Sequence, residues 1–384
     1  MAVFYVIMIA FFLSACNDGL SVDPEVLPEG EVVLESVVSE DATFRVVRVI
    51  DDLQHPWGVA WLPDGRMLLT ERPGRMSLVE NQSMTELDGL PEIRASGQGG
   101  LLDVAVHPDY ADNGWIYFTY SAPVDGNTGT SLARARLGNG ELTDLEILYT
   151  EEPGKSPGRH YGSRIVFPGD GTVLFTIGDR GQRSPSQDLN DPAGSTLRLN
   201  EDGSIPNDNP FAGRNDVLPE IYSYGHRNAQ GMVVHPETGV IWQHEHGPRG
   251  GDELNIIRPG ENYGWPDATY GVEYGSRRSI GIEPHEDPDI VNPLTEWSPS
   301  IAPSGMTIYH GDRFPGWSGD VFVGALAHRH IRRVVVEGQE VVRQEELLRD
   351  ELGRIRDLRT GPDGNIYVLT DHSGGGLYRL EPVE

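Results

Sequence analysis

GRHYGSRIVFPGDGTVLFTIGDRG, residues 158–181, is the stretch that decides the fold of this sequence. It contains two apolar strands, residues 164–167 and 172–177, joined by the turn sequence Pro-Gly-Asp-Gly. Strands joined by such a turn predict an antiparallel hairpin. The outer ends of a hairpin lie at the same end of the sheet, so we expect His160 and Asp179 to lie side by side. A histidine oriented by a carboxylate is suited to general-base chemistry, whereas a solvated loop histidine beside a turn aspartate is the structural alternative.

The same strand–turn–strand unit recurs along the whole chain. Six copies occupy residues 58–71, 102–120, 164–177, 231–243, 305–325 and 356–370. Repeats of short strands with connections rich in glycine and proline are typical of propeller blades. A parallel α/β sheet is disfavoured because the intervening segments lack helical periodicity. The sequence therefore predicts an all-β fold, a six-bladed β-propeller with four-stranded antiparallel blades.

The two ends of the repeat region predict how the ring closes. The last copy leaves room for only three strands before the C-terminus, so residues 44–50 are expected to supply the fourth and close the ring. Residues 16–42 are acidic and aperiodic, which indicates a tether. The propeller domain is accordingly predicted over residues 43–384.

The N-terminus predicts secretion. Residues 2–13 form an apolar run that is short for a membrane span and suits the hydrophobic region of a signal sequence. Residues 13–16, Leu-Ser-Ala-Cys, resemble a bacterial lipobox, in which Cys16 carries a lipid. We expect residues 1–15 to be a lipoprotein-type signal peptide and the protein to be periplasmic, anchored to the outer membrane. An ordinary cleaved signal and a short membrane anchor are the alternatives.

The charge balance limits the possible partners. The chain has 30 Lys and Arg against 59 Asp and Glu, a net charge of −29. Nucleic acid is excluded as a partner because its phosphates need a basic surface. In such an acidic chain, any cluster of arginines needs a local reason.

Such a cluster is predicted at one mouth of the propeller channel, where ligands bind and the inner strands begin. The segments ahead of the inner strands bring Arg227, Arg354 and Arg356 to this mouth. Guanidinium groups bind carboxylates bidentately, so the site suits a ligand with several carboxylates. The alternative is that each arginine pairs with a local acid such as Asp357.

A glycine-rich segment, HEHGPRGGDELN at residues 244–255, is a candidate metal site. Its exposed carbonyls, with Asp252 and Glu253, suit a hard cation such as Ca²⁺. His244 and His246 alternate along a strand, but a transition-metal site would need a third ligand that the spacing does not supply. A solvated acidic loop is the remaining interpretation.

Longer motifs carry a resemblance to the quinoprotein glucose/sorbosone dehydrogenase family, and within it to the periplasmic aldose sugar dehydrogenases that use pyrroloquinoline quinone. The resemblance covers residues 44–381. Besides the stretches quoted above, the matching motifs are HPWGVAWLPDG (55–65), GQGGLLDVAVHPDY (97–110), SQDLNDPAGSTLRLNEDGSIPNDNPF (186–211), EIYSYGHRNAQGM (220–232), NYGWP (262–266) and RIRDLRTGPDGNIYVLTD (354–371).

This resemblance implies an enzyme that oxidises the anomeric hydroxyl of aldoses to the lactone, with hydride transfer to C5 of the quinone and Ca²⁺ as Lewis acid. It implies that His160 is the general base, that Asp179 supports it and that Arg227 contacts the quinone oxygen and the substrate. The resemblance implies that His160 and Arg227 also contact the cofactor, with further cofactor contacts at Gln98, Asn228, Gln230, Arg354 and Arg356. Backbone carbonyls of Gly247 and Pro248 would hold the catalytic Ca²⁺, and Glu253 with the carbonyl of Tyr263 a structural one.

Two positions depart from the family pattern. Many relatives have a cofactor-binding lysine where this chain has Ala327, with His328 or Arg329 as nearby substitutes, and Arg159 stands where some relatives have an acid. A Ca²⁺-dependent lactonase-type propeller and a non-catalytic binding propeller are the alternative functions. The electron acceptor is expected to be a respiratory-chain or soluble partner.

Overall fold

A computed structural model describes residues 29–81, 83–156 and 158–383, and it confirms the predicted six-bladed all-β propeller. The described residues form six antiparallel sheets. The innermost strand of each sheet contacts the innermost strands of the next sheets, and the last returns to the first. These inner strands surround a central channel, and their two ends define its two mouths.

The strands follow the chain in order. The N-terminal strands are β1 (Glu31–Val38) and β2 (Thr43–Gln54). Blade 1 contains β3 (Pro56–Trp61), β4 (Met67–Glu71), β5 (Arg75–Glu80) and β6 (Ser83–Glu86). Blade 2 contains β7 (Leu101–Val106), β8 (Trp115–Val124), β9 (Asn127–Leu137) and β10 (Leu142–Thr150). Blade 3 contains β11 (Ile165–Val166), β12 (Thr172–Ile177), β13 (Ser195–Asn200) and β14 (Ile221–Ser223).

The remaining blades are built in the same way. Blade 4 contains β15 (Ala229–Val234), β16 (Ile241–Glu245), β17 (Asp252–Ile257) and β18 (Thr295–Trp297). Blade 5 contains β19 (Pro303–Ile308), β20 (Val321–Ala325), β21 (His330–Glu337) and β22 (Glu340–Leu347). Blade 6 contains β23 (Ile355–Thr360), β24 (Ile366–Thr370) and β25 (Ser373–Pro382).

Helical structure is confined to short turns in the described part of the chain. These are α1 (Tyr110–Asn113) and the 3₁₀ turns Ser184–Gln187, Pro284–Glu286 and Pro315–Trp317. No helix among the described residues is long and apolar enough to cross a membrane.

The second strand of five of the six blades is buried along its whole length. All positions of β4, β12, β16, β20 and β24 are buried. Each of these strands packs against a neighbouring blade on both faces, so the sequence shows continuous apolar runs rather than alternation. These continuous apolar runs made the repeat recognisable in the sequence.

Ring closure occurs as predicted. Strand β2 pairs antiparallel with β25, with Phe44 opposite Pro382 and Ile50 opposite Leu377. The sheet order is β1-β2-β25-β24-β23, so the N-terminal strand β2 completes blade 6. Closure joins the chain ends and leaves no open edge between blades 6 and 1.

The predicted tether over residues 16–42 is wrong in its last part. Strand β1 pairs with β2 and adds a fifth strand to blade 6, so the folded domain begins before residue 43. Leu34 and Val37 pack on the core cluster around Trp317, and Asp41 forms an ion pair with the buried Arg333. The acidic residue Asp41 is therefore paired rather than solvated. Residues 1–15 and Cys16 lie outside the described residues.

An ion network blocks the channel midway. Arg164, just before β11, lies 3.0 Å from both Asp103 and Asp357. Arg359 completes the network, 2.7 Å from Asp103 and 2.9 Å from Asp357. Two cations and two anions compensate each other here, which makes their burial tolerable. The mouth at which the inner strands begin is therefore a closed-ended cup rather than part of an open pore.

Candidate active site

His160 and Asp179 lie side by side at this mouth, as the hairpin predicted. The Nδ1 atom of His160 is 2.6 Å from Oδ1 of Asp179. The other carboxylate oxygen accepts a hydrogen bond from Nε1 of Trp265 at 2.9 Å, and the backbone N–H of Gly181 donates to Oδ1. The carboxylate is thus held on both oxygens. With Nδ1 donating to Asp179, Nε2 is the nitrogen of His160 that can accept a proton.

The electrostatics keep His160 neutral and Asp179 ionised. Burial lowers the pKa of His160 below 6.5, and the nearby Arg227 and Arg159 lower it further, while Asp179 acts in the opposite direction. Burial acts to raise the pKa of Asp179, but the hydrogen bond from His160, the charge that His160 carries when protonated, and the charge of Arg227 outweigh it and lower that pKa. A neutral imidazole beside a fixed carboxylate is the state that a general base requires.

The backbone at His160 is in the left-handed region and is held there by several contacts. His160 has φ of 54°, and its N–H donates to the side-chain oxygen of Gln98 at 2.7 Å. The buried Arg180 donates to the carbonyl of Arg159 and lies over the ring of Tyr161, 3.8 Å from its centroid. Strained backbone that its surroundings hold in this way is a common feature of functional sites.

Arg227 is fixed beside this pair by both its backbone and its side chain. Glu245 accepts the backbone N–H of Arg227. The guanidinium donates to the carbonyls of Gly247, at 2.8 Å, and His246, at 3.1 Å. Its charge centre also lies 5.4 Å from the ring centroid of Trp265, which therefore contacts both Asp179 and Arg227.

The predicted cofactor contacts lie at the same mouth. Asn228 accepts a hydrogen bond from the backbone of Gly162 at 3.1 Å, next to the His160 segment. Arg356 donates to the side-chain oxygen of Gln230 at 3.0 Å. The structure thus brings together Gln98, His160, Asp179, Arg227, Asn228, Gln230, Arg354 and Arg356 on the side of the ion network where the inner strands begin.

Arg354 and Arg356 share a carboxylate partner that the sequence analysis missed. Both pair with Asp371, at 3.3 Å and 2.8 Å, and not with Asp357, which belongs to the channel network. The hairpin of β23 and β24 places Ile355 opposite Thr370, so residue 371 had to lie near residues 354 and 356. This register was available from the sequence.

The two predicted calcium sites lie next to Arg227. A small cavity is lined by the buried carboxylates of Glu245 and Glu253 and by Gly247 and Tyr263. Burial raises the pKa of Glu253 well above its ordinary value, and the nearby Glu245 raises it further. Glu245 was not identified from the sequence, because the strand pairing that sets it opposite Glu253 joins residues on different strands.

Asp252, the other acid of this segment, has a structural position. Its carboxylate accepts hydrogen bonds from the backbones of Gly247, Ile301 and Ala302. Burial raises its pKa to about 6. Asp252 thus fixes the Gly247 turn against the segment that precedes β19.

His244 and His246 do not form a metal pair. The ring of His244 packs on Gly231 and has no hydrogen-bond partner within the described residues, while His246 donates to the carbonyl of Pro303. Among the described residues no three His, Cys, Asp or Glu side chains are grouped to hold a metal ion. A cation here would rely on backbone carbonyls, which suits Ca²⁺.

Comparison with known proteins identifies the family. The Glucose / Sorbosone dehydrogenase family profile matches residues 53–379. Aldose sugar dehydrogenase YliI of Escherichia coli is 41% identical over 347 residues, covering 89% of this chain and 94% of that protein. Quinoprotein glucose dehydrogenase B of Acinetobacter calcoaceticus is 29% identical, covering 85% of each. The PQQ-bound aldose sugar dehydrogenase of Streptomyces coelicolor superposes with a TM-score of 0.73 at 27% identity, over 88% of this chain and 98% of that one. The chain belongs to the glucose/sorbosone dehydrogenase family.

Proposed function

We propose that this protein oxidises the anomeric hydroxyl of aldose sugars to the lactone, with pyrroloquinoline quinone as hydride acceptor and Ca²⁺ as its partner ion. The observation that carries the proposal is the fixed His160–Asp179 pair beside Arg227, at the channel mouth where further arginines collect. Relatives named aldose sugar dehydrogenase and quinoprotein glucose dehydrogenase support the substrate class and the cofactor.

The residues present fit a tricarboxylate such as this quinone. Arg354 and Arg356 share the single carboxylate of Asp371, which leaves cationic capacity for a ligand. The Nε atom of Arg356 is buried without a hydrogen-bond partner in the described structure. A buried donor without a partner is costly, and a ligand oxygen would relieve that cost.

The residues present also fit calcium. Pro248 offers a backbone carbonyl at the turn that Asp252 fixes. The carbonyl of Gly247 already accepts a hydrogen bond from Arg227 at 2.8 Å, so it would bind an ion through its second lone pair. Glu253 accepts only a 3.3 Å hydrogen bond from Asn255 among the described residues and lies near the like-charged Glu245. A cation bound by Glu253 and the carbonyl of Tyr263 would neutralise this buried charge.

The chemistry of the chain follows from its charges. Nε2 of His160 accepts the proton of the anomeric hydroxyl, and Asp179 stabilises the imidazolium that forms. When bound, the quinone would supply an electrophilic carbon able to accept hydride from the sugar, and Ca²⁺ would supply Lewis acidity. Arg227 stabilises negative charge that develops beside its guanidinium. Loss of one proton and one hydride converts the aldose to its lactone.

Asp179→Asn should lower kcat about 10- to 100-fold, part of the general-base contribution, because the imidazole loses its orienting and stabilising charge. The ascending limb of the pH profile of kcat/KM should lie below pH 6.5 in the wild type, because the pKa of His160 is lowered. In the variant it should move to still lower pH, because Asp179 is the group that raises this pKa.

Trp265→Phe is the matched control for this profile. It removes one hydrogen bond to Asp179 but leaves the carboxylate charge, so the limb should keep its position. A limb that stays in place in Asp179→Asn, or moves to higher pH, would contradict the assigned pair.

Glu253→Gln should change the response of stability to calcium. Saturating Ca²⁺ at 100 times its Kd should stabilise the wild-type protein by about 2.7 kcal/mol, and the variant should lose most of this increment. Without calcium the variant should be at least as stable as the wild type, because a buried like-charge contact with Glu245 is removed. Thermal melts with and without Ca²⁺ measure both effects.

Glu340→Gln serves as the control, since Glu340 is an exposed acid of β22 in blade 5 and does not line the cavity of Glu245 and Glu253. Its calcium increment should equal that of the wild type. Retention of the full increment by Glu253→Gln would remove Glu253 from the metal site.

Reconstitution tests the proposed function as a whole. Protein stripped with EDTA is mixed with pyrroloquinoline quinone and Ca²⁺ and assayed for aldose-dependent dye reduction across several sugars. Activity that requires both additions is expected. Sugar oxidation without the quinone, or no oxidation with both present, would overturn the proposal.

The alternatives lack a supporting observation of the same kind. A lactonase-type propeller needs a metal held by several side chains, and the described residues offer no such group. A binding propeller gives no reason for the oriented His160–Asp179 pair.

We also propose that the protein is periplasmic, held at the outer membrane by a lipid on Cys16, and passes electrons to a respiratory-chain or soluble acceptor. The apolar run at residues 2–13 and the Leu-Ser-Ala-Cys sequence support this location. Labelled fatty acid should be incorporated into the wild-type protein and not into Cys16→Ser. Equal labelling of the two would refute the anchor.

A further inference from the structure

A third arginine, Arg72, lies close enough to Arg354 and Arg356 for their charges to act on it. His55 links it to their partner Asp371, because the carbonyl of His55 accepts from the Arg72 backbone and its ring lies 3.1 Å from the Asp371 carboxylate. Arg72 directly follows β4 in blade 1, on the opposite side of blade 6 from blade 5. Its backbone N–H donates to the carbonyl of His55 at 3.0 Å, and its carbonyl accepts from Leu101 at 3.2 Å. Backbone contacts on both sides therefore fix the position of Arg72.

Gly100 allows the segment that contains it to pack closely against Arg72. A Cβ atom at Gly100 would lie 1.8 Å from the carbonyl oxygen of Arg72 and 2.7 Å from its Cγ. Only glycine fits there, and the backbone of Gly100, with φ of 151°, is one that other residues rarely adopt. Gly100 ends the segment that also carries Gln98, so Arg72 is held against the loop that supports His160.

The guanidinium of Arg72 has no ion pair or hydrogen bond with any described residue. Its neighbour Glu71 binds Arg75 at 2.7 Å instead. Asp371 is the acid whose charge acts on Arg72, but its carboxylate is already bound by His55, Arg354 and Arg356. Burial lowers the pKa of Arg72, and the charges of Arg356 and Arg354 lower it further, while Asp371 only partly offsets them.

The cluster of Arg72, Arg354, Arg356 and Asp371 therefore carries two uncompensated positive charges. Arg354 and Arg356 pair with the one carboxylate of Asp371, and the guanidinium of Arg72 adds a third positive charge with no partner of its own among the described residues. Concentrating like charges in a half-buried place is unfavourable, and an anionic ligand removes that penalty. Cationic side chains with a shifted pKa are often found in binding sites.

The residues next to Ala327 do not supply the cation that the family resemblance implies for this position. Ala327 follows Leu326, whose carbonyl accepts a hydrogen bond from Arg354, so this position borders the same cluster. Arg329 is paired with Asp350 at 2.8 Å, and His328 lies beside the ring of His330. Arg329 is therefore engaged elsewhere, and no contact joins His328 to the cluster among the described residues.

We propose that Arg72 binds a carboxylate of the quinone cofactor and supplies the positive charge that Ala327 does not. The inference rests on the proposed function and adds blade 1 to the carboxylate-binding side of the site. Guanidinium is suited to this role because it presents paired donors to a carboxylate and stays charged.

Equilibrium titration with pyrroloquinoline quinone, followed by protein fluorescence in the presence of Ca²⁺, tests the proposal without any measurement of turnover. Arg72→Ala should weaken binding about 10- to 100-fold, the range for one charge-assisted hydrogen bond. Arg72→Lys should lose less. Adding Ala327→Lys to Arg72→Ala should restore most of the affinity, because a cation then returns to the same cluster.

The control is Arg329→Ala, which removes an exposed arginine already paired with Asp350 and should bind as the wild type does. Should Arg72→Ala fail to fold, Arg72→Gln is titrated in its place, since it keeps most of the side chain. If the wild type binds the quinone and the Arg72 variants bind it with equal affinity, this inference alone is overturned. Absence of binding by the wild type would overturn the proposed function together with it.

Discussion

His160→Ala should lower kcat for aldose oxidation by about two to four orders of magnitude, the usual contribution of a general base. The expectation follows from the geometry, in which Nδ1 is bound to Asp179 at 2.6 Å and Nε2 is left to take the proton. Quinone affinity should change little, because the arginines proposed to bind its carboxylates lie on other blades. Steady-state kinetics of the reconstituted variant, with a separate quinone titration, measure the two effects.

His310→Ala is the matched histidine control. His310 follows β19 at the opposite end of the channel, where its ring contacts the carbonyl of Ile308, and its loss should leave kcat unchanged. Dehydrogenase activity near the wild-type level in His160→Ala would remove His160 from the role of base.

Arg227→Ala should lower kcat about 10²- to 10³-fold, the range for loss of one group that stabilises developing negative charge. Arg227 is pre-positioned for this role, because Glu245 holds its backbone and two carbonyls hold its guanidinium. Because the stabilisation is needed in the transition state, kcat should fall by more than KM rises.

Arg227→Lys separates charge from geometry. Lysine keeps the positive charge but lacks the planar donors that contact both His246 and Gly247, so activity between those of the wild type and the alanine variant is expected. An Arg227→Ala enzyme with altered KM and normal kcat would show that the residue only binds substrate.

The fold was predictable because its determinants are local. Each blade begins with an apolar strand, which a short turn follows in blades 1, 3 and 6, and the buried second strands, such as β12 and β24, give uninterrupted apolar runs. The last repeat has room for only three strands, which predicted that residues 44–50 close the ring. Strand β2 does so by pairing with β25. Strand β1 was missed because its acids obscured the apolar positions Leu34 and Val37, which pack on the neighbouring core.

The candidate site was predictable where one hairpin brings its residues together. His160 and Asp179 flank the same two strands, so turn geometry alone placed them in contact. Trp265 was not predictable in this way, because it reaches Asp179 from a different blade, 86 residues along the chain. Arg72 was missed for the same reason, since the charged side chains that act on it, Asp371, Arg354 and Arg356, come from blade 6.

The central claim is that the sugar loses hydride from its anomeric carbon to a quinone at this mouth while His160 takes the proton. Anaerobic stopped-flow mixing of reconstituted protein with glucose, either unlabelled or deuterated at C1, follows one reduction of the quinone by its absorbance. The account predicts reduction that requires Ca²⁺, is slowed several-fold by deuterium and nearly disappears in His160→Ala. Reduction at the same rate with both sugars, or undiminished in His160→Ala, would contradict it.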